Sequence, residues 1–164
     1  MRLLAGRATI DDLDAFVERL ADAGERHGAT VQAFDARYVA GREHLERAVE
    51  LADRAIERGE NVADDRAIEI LLYAAGRRQI DQALEIGVRE GESRTVLVID
   101  GEDETGAIEA LSGLVEPTDE PVAEDADPGL IASYFGITDA ERGATDADLC
   151  DLVCERVALL DVEK

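Results

Sequence analysis

The sequence predicts a mixed α/β fold in a single domain, with a small β-sheet surrounded by several helices. Three observations lead to this class. Residues 95–99 are a continuous β-branched and aliphatic run bounded by polar residues, which is typical of a strand covered on both faces. Several other segments, the longest at 41–59, place apolar residues at helical spacing. The length of 164 residues fits one domain that buries a substantial core.

The chain opens with a predicted strand at 2–6, a helix and a second strand at 30–34. Thr9 is a plausible helix N-cap, because two aspartates follow in the first turn, where they favour the helix dipole. We expect the helix to end at Gly24 and Gly28. The apolar residues that should face the core repeat at helical spacing: Leu13, Phe16, Val17 and Leu20.

Residues 41–59 predict a long amphipathic helix. Its solvent-exposed side offers two ion pairs, Glu43–Arg47 and Glu50–Arg54, and the members of each pair are four residues apart. Each pair stabilises the helix by only a few tenths of a kcal/mol. Its apolar stripe, which we expect to face the core, contains Leu45, Ala48, Val49, Ala52 and Ile56.

The signature stretch, residues 69–87, reads EILLYAAGRRQIDQALEIG and is the most informative part of the chain. Its first seven residues are strong helix formers. Gly76 can close this helix, because glycine adopts the left-handed conformation without steric cost. Arg77, Arg78 and Gln79 then form a polar corner, and Ile80 begins a second helical face. We call residues 76–80 the corner.

The C-terminal part predicts mainly helices. A helix at 107–115 is followed by an acidic, proline-containing loop at about 116–128, and further helices are expected at 130–135 and 146–157. Residues 158–162 are a candidate for a final strand. The last helix has one apolar side, formed by Leu149, Leu152, Val153 and Val157.

The charge is extreme and uneven. The net charge is −22, and residues 95–164 contribute −16 from 3 basic and 19 acidic side chains. Residues 37–94 are close to balanced, with 10 basic and 13 acidic groups. We interpret the acidity as adaptation to concentrated salt; mimicry of nucleic acid is the alternative. Any contact with a polyanion is expected in the central segment.

Nothing in the sequence forms a recognisable catalytic constellation. A phosphate-binding GxxxxGK loop and a GxSxG motif are missing, and His27 and His44 lie apart from the cysteines. Cys150 and Cys154 share a helix face, where a disulfide has poor geometry, so we expect reduced thiols that fill space in the core. No apolar run approaches the roughly 20 residues that span a bilayer. The sequence predicts a cytoplasmic non-enzyme without metal or cofactor.

The signature stretch resembles the small regulatory subunit of the KEOPS complex, the family that includes the eukaryotic PRPK-binding protein. The order of the surrounding elements agrees, including the residues at 34–37, 96–99 and 158–162, and the arginines at the corner are typical of the archaeal branch. The matching positions are Glu69, Ile70, Leu71, Gly76, Arg78, Gln79, Ile80, Ala83, Leu84 and Gly87.

The resemblance implies two partners. One is the kinase-like ATPase subunit of KEOPS, and the other is the 3′ CCA end of tRNA, which archaeal members of the family bind. The resemblance also implies that the complex transfers a threonylcarbamoyl group to the adenosine beside the anticodon. The corner is our candidate tRNA site, with Gln79 bonding a base and either Tyr73 or Ile80 packing on it. The full candidate set is Tyr73, Gly76, Arg77, Arg78, Gln79 and Ile80.

Other interpretations stay open. Arg77 and Arg78 could be solvated cations that pair with Asp81 and Glu85. The chain could be a protein-interaction module that regulates a kinase without touching RNA, or a stand-alone enzyme. For the kinase-subunit interface our candidate is the apolar side of the last helix, and the alternative is that these residues fill the core. Its members are Leu149, Leu152, Val153 and Val157.

Overall fold

The computed structural model describes residues 1–118 and 122–163. Its sheet is built from β1 (Arg2–Ile10), β2 (Ala29–Asp35), β3 (Gly91–Gly101) and the short β4 (Glu116–Pro117). The strand order is β2-β3-β1-β4, and every neighbouring pair is antiparallel. Strand β2 therefore lies at one edge of the sheet.

The central strand β3 is buried on both faces, as its continuous apolar run predicts. Val96 and Val98 belong to one core cluster, while Leu97 and Ile99 belong to the other, and all four are fully buried. Because successive strand residues point to opposite faces, this alternation means that helices cover the sheet on both sides. The predicted fold class, a mixed α/β domain, is confirmed.

Helices form the two outer layers around this sheet. The α-helices within the described residues are α1 (Leu13–His27), α2 (Arg42–Arg58), α3 (Arg66–Ala75), α4 (Ile80–Ala83), α5 (Glu104–Leu111), α6 (Pro128–Phe135), α7 (Asp139–Gly143) and α8 (Leu149–Glu163). Helices α1 and α5 cover the face of Leu97 and Ile99, and helices α2, α3, α6 and α8 cover the face of Val96 and Val98.

The start of α1 differs from the prediction. Thr9 is not the N-cap, because β1 continues to Ile10, opposite Gly91 of β3. The N-cap is Asp12, whose carboxylate accepts the Ala15 N–H at 3.2 Å. At the other end Gly28 closes the helix with φ +61°, and Gly24 lies inside it. Of the predicted core residues Phe16 and Leu20 are buried, but Val17 is 51% exposed.

Helix α2 follows the predicted stripe. Four of its five predicted core residues are buried, and Ile56 is 38% exposed near the C-terminal end. The ion pairs differ. Arg47 pairs with Glu50 at 3.0 Å in place of the predicted Glu43, and Arg42 pairs with Glu46 at 2.7 Å.

The C-terminal third contains two corrections. Helix α5 begins after its N-cap Asp103 and ends at Leu111, earlier than the predicted 107–115. The predicted final strand at 158–162 is wrong. Helix α8 continues to Glu163, because Leu160 is buried and extends the stripe of Val153 and Val157 at helical spacing.

The predicted acidic loop at 116–128 contains β4 and a short 3₁₀ turn at Val122–Asp125. Its residues 119–121 lie outside the described part of the chain. Helix α7, which the sequence did not predict, starts at its N-cap Thr138, whose hydroxyl accepts the Glu141 N–H at 3.1 Å.

Candidate functional site

Helix α3, the first half of the signature stretch, belongs to the core. Asp65 caps its N-terminus by accepting the Ala67 N–H at 2.8 Å, and residues 69–75 are all buried. Glu69 is buried, and its carboxylate accepts the N–H groups of Val62 at 3.1 Å and Ala63 at 3.0 Å. These hydrogen bonds to the Glu69 carboxylate fix the connection between α2 and α3.

His44 of α2 supports the C-terminal end of α3. It is fully buried, its Nδ1 accepts the Ala40 N–H at 3.2 Å, and its Nε2 lies 2.8 Å from the Ala74 carbonyl oxygen. These two partners assign the proton to Nε2, which donates to Ala74. Burial lowers the pKa of His44 to about 4, so the ring is neutral near pH 7.

The corner begins with a hydrogen-bonded glycine stop. Gly76 has φ +63°, and its N–H donates to the Tyr73 carbonyl oxygen at 3.0 Å. The Arg77 N–H donates to the Leu72 carbonyl oxygen, also at 3.0 Å. These two bonds form a Schellman motif, which holds the chain direction after α3 in one conformation.

Arg77 joins the corner to α6. Its Nη2 donates to the carbonyl oxygen of Tyr134, and its Cζ lies 4.6 Å from the centroid of the Tyr134 ring. The Tyr134 hydroxyl in turn donates to the Gln82 carbonyl oxygen at 2.8 Å. Arg77 is half-buried in this cation–π contact. Its guanidinium therefore holds the corner against α6, and it is not a solvated partner of Asp81.

The next three residues of the corner are exposed. Arg78 and Gln79 lie at the surface, and Ile80 is 46% exposed at the start of α4. A cation, an amide and an apolar side chain are thus adjacent on a fixed turn. Together they offer a charge, hydrogen-bonding groups and a packing surface to one small ligand group.

A cleft of about 400 Å³ lies beside the corner, between α3, α6 and α8, and Gly76, Arg77, Tyr134 and Arg156 contribute to its lining. Arg156 of α8 donates to the Phe135 carbonyl oxygen at 3.1 Å and to Glu141 at 2.6 Å. Neither Tyr134 nor Arg156 could be linked to the corner from the sequence, because their relation to it depends on tertiary packing. The available signal was that Arg156 is one of only 3 basic residues in the acidic segment 95–164.

Tyr73, a predicted site residue, lies in the core. Its relative exposure is 0%, and its hydroxyl donates to Asp161 of α8 at 2.8 Å. Burial and the neighbouring Asp161 raise the pKa of Tyr73 above its usual value. In this structure Tyr73 connects α3 to α8 and offers no surface to a base, because α8 covers it.

The residues predicted to meet a kinase subunit also lie in the core. Leu152, Val153 and Val157 are at most 3% exposed, and Leu149 packs partly buried against the same cluster. The alternative interpretation, in which they fill the core, therefore describes the isolated chain. Among the described side chains of α8, the large apolar ones at the surface are Leu159, 47% exposed, and Val162, 81% exposed.

Cys150 and Cys154 have free thiols and are half-buried. A hydrogen bond from the Cys154 thiol lowers the pKa of Cys150. Within residues 1–118 and 122–163, no three His, Cys, Asp or Glu side chains are grouped so that they could hold a metal ion. The helices in this part of the chain are also too short or too polar to cross a membrane.

Comparison with known protein families identifies the family of this chain. The family model described as kinase binding protein CGI-121 matches residues 10–161. The chain belongs to the CGI-121 family. No individually curated protein shows significant similarity to it. CGI-121 proteins are non-catalytic, so the predictions of family and of a non-enzyme are confirmed. The family description names kinase binding and makes no mention of RNA.

Proposed function

We propose that this CGI-121 protein is a non-catalytic subunit of a KEOPS-type complex, in which it binds the kinase-like ATPase subunit and contacts the 3′ CCA end of tRNA. Family membership over residues 10–161 supports the kinase partner. The observation that carries the RNA contact is the corner, where Arg78, Gln79 and Ile80 stand exposed on a turn fixed by the Schellman motif.

The three exposed side chains suit a single-stranded RNA end. Arg78 can contact a phosphate, Gln79 can hydrogen-bond a base edge, and Ile80 gives a base a surface to pack on. Stacking on an aromatic side chain contributes roughly 1–3 kcal/mol per base, and packing on the aliphatic Ile80 should contribute less. Arg77 supports the same site indirectly, since its contacts with Tyr134 hold the turn against α6.

The charge distribution favours a small RNA footprint at this place. Residues 95–164 carry 19 acidic and 3 basic groups and repel a polyanion, whereas the corner lies in the nearly balanced segment 37–94. An RNA end needs few phosphate contacts. In concentrated salt such a site must rely on hydrogen bonds and stacking, so we expect a salt dependence equivalent to about one or two phosphates.

The proposed role in the modification reaction is positioning. The 3′ end of a tRNA is remote from the adenosine beside the anticodon, so a contact there does not touch the reacting atoms. It holds the substrate on the complex and lowers the entropic cost of presenting that adenosine. A binding subunit of this kind needs no catalytic group of its own.

A gel-shift experiment with intact and CCA-trimmed tRNA tests the RNA contact. We expect the wild-type chain to retard intact tRNA and to lose most of this binding when the CCA end is removed. Equal binding of both tRNAs would mean that the contact lies elsewhere on tRNA. Binding of neither, together with retained kinase binding, would favour the alternative function of a kinase-binding module without RNA contact.

A further inference from the structure

An apolar groove crosses the β2 edge of the sheet, where the two helical layers meet. It has a volume of about 490 Å³, which falls in the range of pockets that bind ligand groups. One wall is α1, the floor is β2, and the other wall is the start of α3 with the chain after α4. The apolar residues of its walls include Leu13, Val17, Ile68, Leu84 and Val88.

Two of these wall residues are unusually exposed for large apolar side chains. Val17 of α1 is 51% exposed, and Leu84 on the facing wall is 54% exposed. Scattered apolar residues are normal on a protein surface, but two on opposite walls of one apolar groove mark an interaction site. Ile56, 38% exposed on α2, and Val162, 81% exposed on α8, do not line the groove.

The edge of β2 is closed to a pairing strand by Gln32. Its Nε2 donates to the Ala67 carbonyl oxygen at 2.8 Å, and its Oε1 accepts the Ala33 N–H at 2.9 Å. The Ala33 N–H is one of the groups that an added strand would need, and it is already bonded by a side chain anchored on α3. The groove therefore favours a helix that inserts side chains over a strand that extends the sheet.

The charged residues of the groove favour a basic partner. Glu25 and Asp65 lie in its lining. Arg66 also lies there, but its guanidinium donates to Asp53 at 2.8 Å and to Asp100 at 2.6 Å, so its charge is compensated within the chain. Asp65 also accepts the Ala67 and Ile68 N–H groups of α3, but these neutral donors bring no cation to the groove. A segment with Lys or Arg beside its apolar residues would therefore complement both Glu25 and Asp65.

We infer that this groove receives an amphipathic helix of the kinase-like partner, with large apolar side chains between Val17 and Leu84 and basic residues beside Glu25 and Asp65. The inference rests on the proposed kinase binding and gives it a surface. It replaces the apolar side of α8, whose residues Leu152, Val153 and Val157 are occupied in the chain's own core. Leu84 also lines a shallow cleft with Arg77 and Tyr134, so the groove adjoins the corner.

Substitutions on the two walls test the groove. We expect Val17→Asp and Leu84→Asp each to weaken binding of the purified kinase-like subunit at least tenfold in calorimetry, because each places a carboxylate against an apolar helix beside existing acidic groups. Both side chains are more than half exposed, so the variants should melt like the wild type. Ile56→Asp and Val162→Asp introduce the same charge outside the groove and should bind normally.

The possible results test the docking groove and the proposed kinase binding separately. If wild type binds the kinase-like subunit and both groove variants bind equally well, the groove is not the docking surface although the proposed function stands. If wild type fails to bind that subunit at all, the proposed function itself fails. If light scattering shows that wild type alone is a dimer that Val17→Asp converts to a monomer, a second copy covers the groove and the inference is overturned.

Discussion

The two halves of the signature stretch differ sharply in what they do. Residues 69–75 are all buried, and their polar members Glu69 and Tyr73 are hydrogen-bonded to the connection after α2 and to α8. Arg78, Gln79 and Ile80, only a few residues further on, are exposed and stand on a turn fixed by Gly76 and Arg77. One short stretch therefore contains both a structural element and a candidate binding surface.

This difference shows how a rigid site can be built from few residues. The buried half gives the corner a foundation, since α3 contacts α2, β2 and α8. Arg77 connects the two halves, with its backbone in the Schellman motif and its side chain against Tyr134. The exposed half can then present the proposed base-binding surface at little further entropic cost.

The largest expected effect is on the free energy of unfolding, when a large apolar side chain is truncated in the buried half of the signature stretch and, for comparison, in the exposed half. Leu72 is fully buried, so Leu72→Ala should lower the free energy of unfolding by about 2–5 kcal/mol, measured by urea denaturation. Ile80 is 46% exposed, so Ile80→Ala should change it by no more than about 0.5 kcal/mol. Similar losses in the two variants would mean that the halves do not differ in their structural role.

A smaller effect should follow from the pH dependence of His44, which supports the buried half. Unfolded histidine takes up a proton near pH 6.5, whereas the pKa of folded His44 is about 4. The free energy of unfolding should therefore fall as the pH drops from 6.5 towards 4. The slope is roughly 1.36 kcal/mol per pH unit, which amounts to about 3 kcal/mol over the window.

Comparison with His44→Gln separates the effect of His44 on the free energy of unfolding from that of the carboxylates. Glutamine can still donate a hydrogen bond to the Ala74 carbonyl oxygen, but it does not titrate. Urea denaturation of both proteins at pH 7, 6 and 5 gives the two slopes. Parallel slopes in the wild type and the variant would show that His44 is not held neutral by the core.

The smallest effect concerns salt. Lowering the salt concentration from about 1 M to 0.1 M lengthens the Debye length from roughly 3 Å to 10 Å, so repulsion among the 19 acidic groups of residues 95–164 should increase. A loss of about 1 kcal/mol would lower the melting temperature by roughly 2–4 °C. A melting temperature that is indifferent to salt would contradict the interpretation of the acidity as adaptation to concentrated salt.

Features fixed by local chemistry could be predicted from the sequence. The apolar run at 95–99 became the centre of β3, the stripe of α2 faces the core, and Gly76 closes α3. Each of these depends on propensity, spacing or conformational freedom within a short segment. The exposed residues of the corner were also recognisable, since a polar turn follows directly after a glycine stop.

Features that depend on distant segments could not be predicted. Thr9 and Asp12 are both good caps, and the pairing of β1 with β3 decided between them. The sequence of α8 did not indicate whether its apolar side packs against a partner protein or in the core, because both environments favour the same apolar side chains. Tyr134 and the groove across β2 arise from segments far apart in the sequence.

The most direct test of the account measures tRNA binding by variants of the corner beside matched controls. We predict that Arg78→Glu and Ile80→Glu each abolish the gel shift of CCA-ended tRNA and keep the wild-type affinity for the kinase-like subunit. Arg54→Glu and Ile56→Glu make the same changes on the exposed side of α2 and should bind tRNA like the wild type. Normal tRNA binding by both corner variants would show that the corner is not the RNA site.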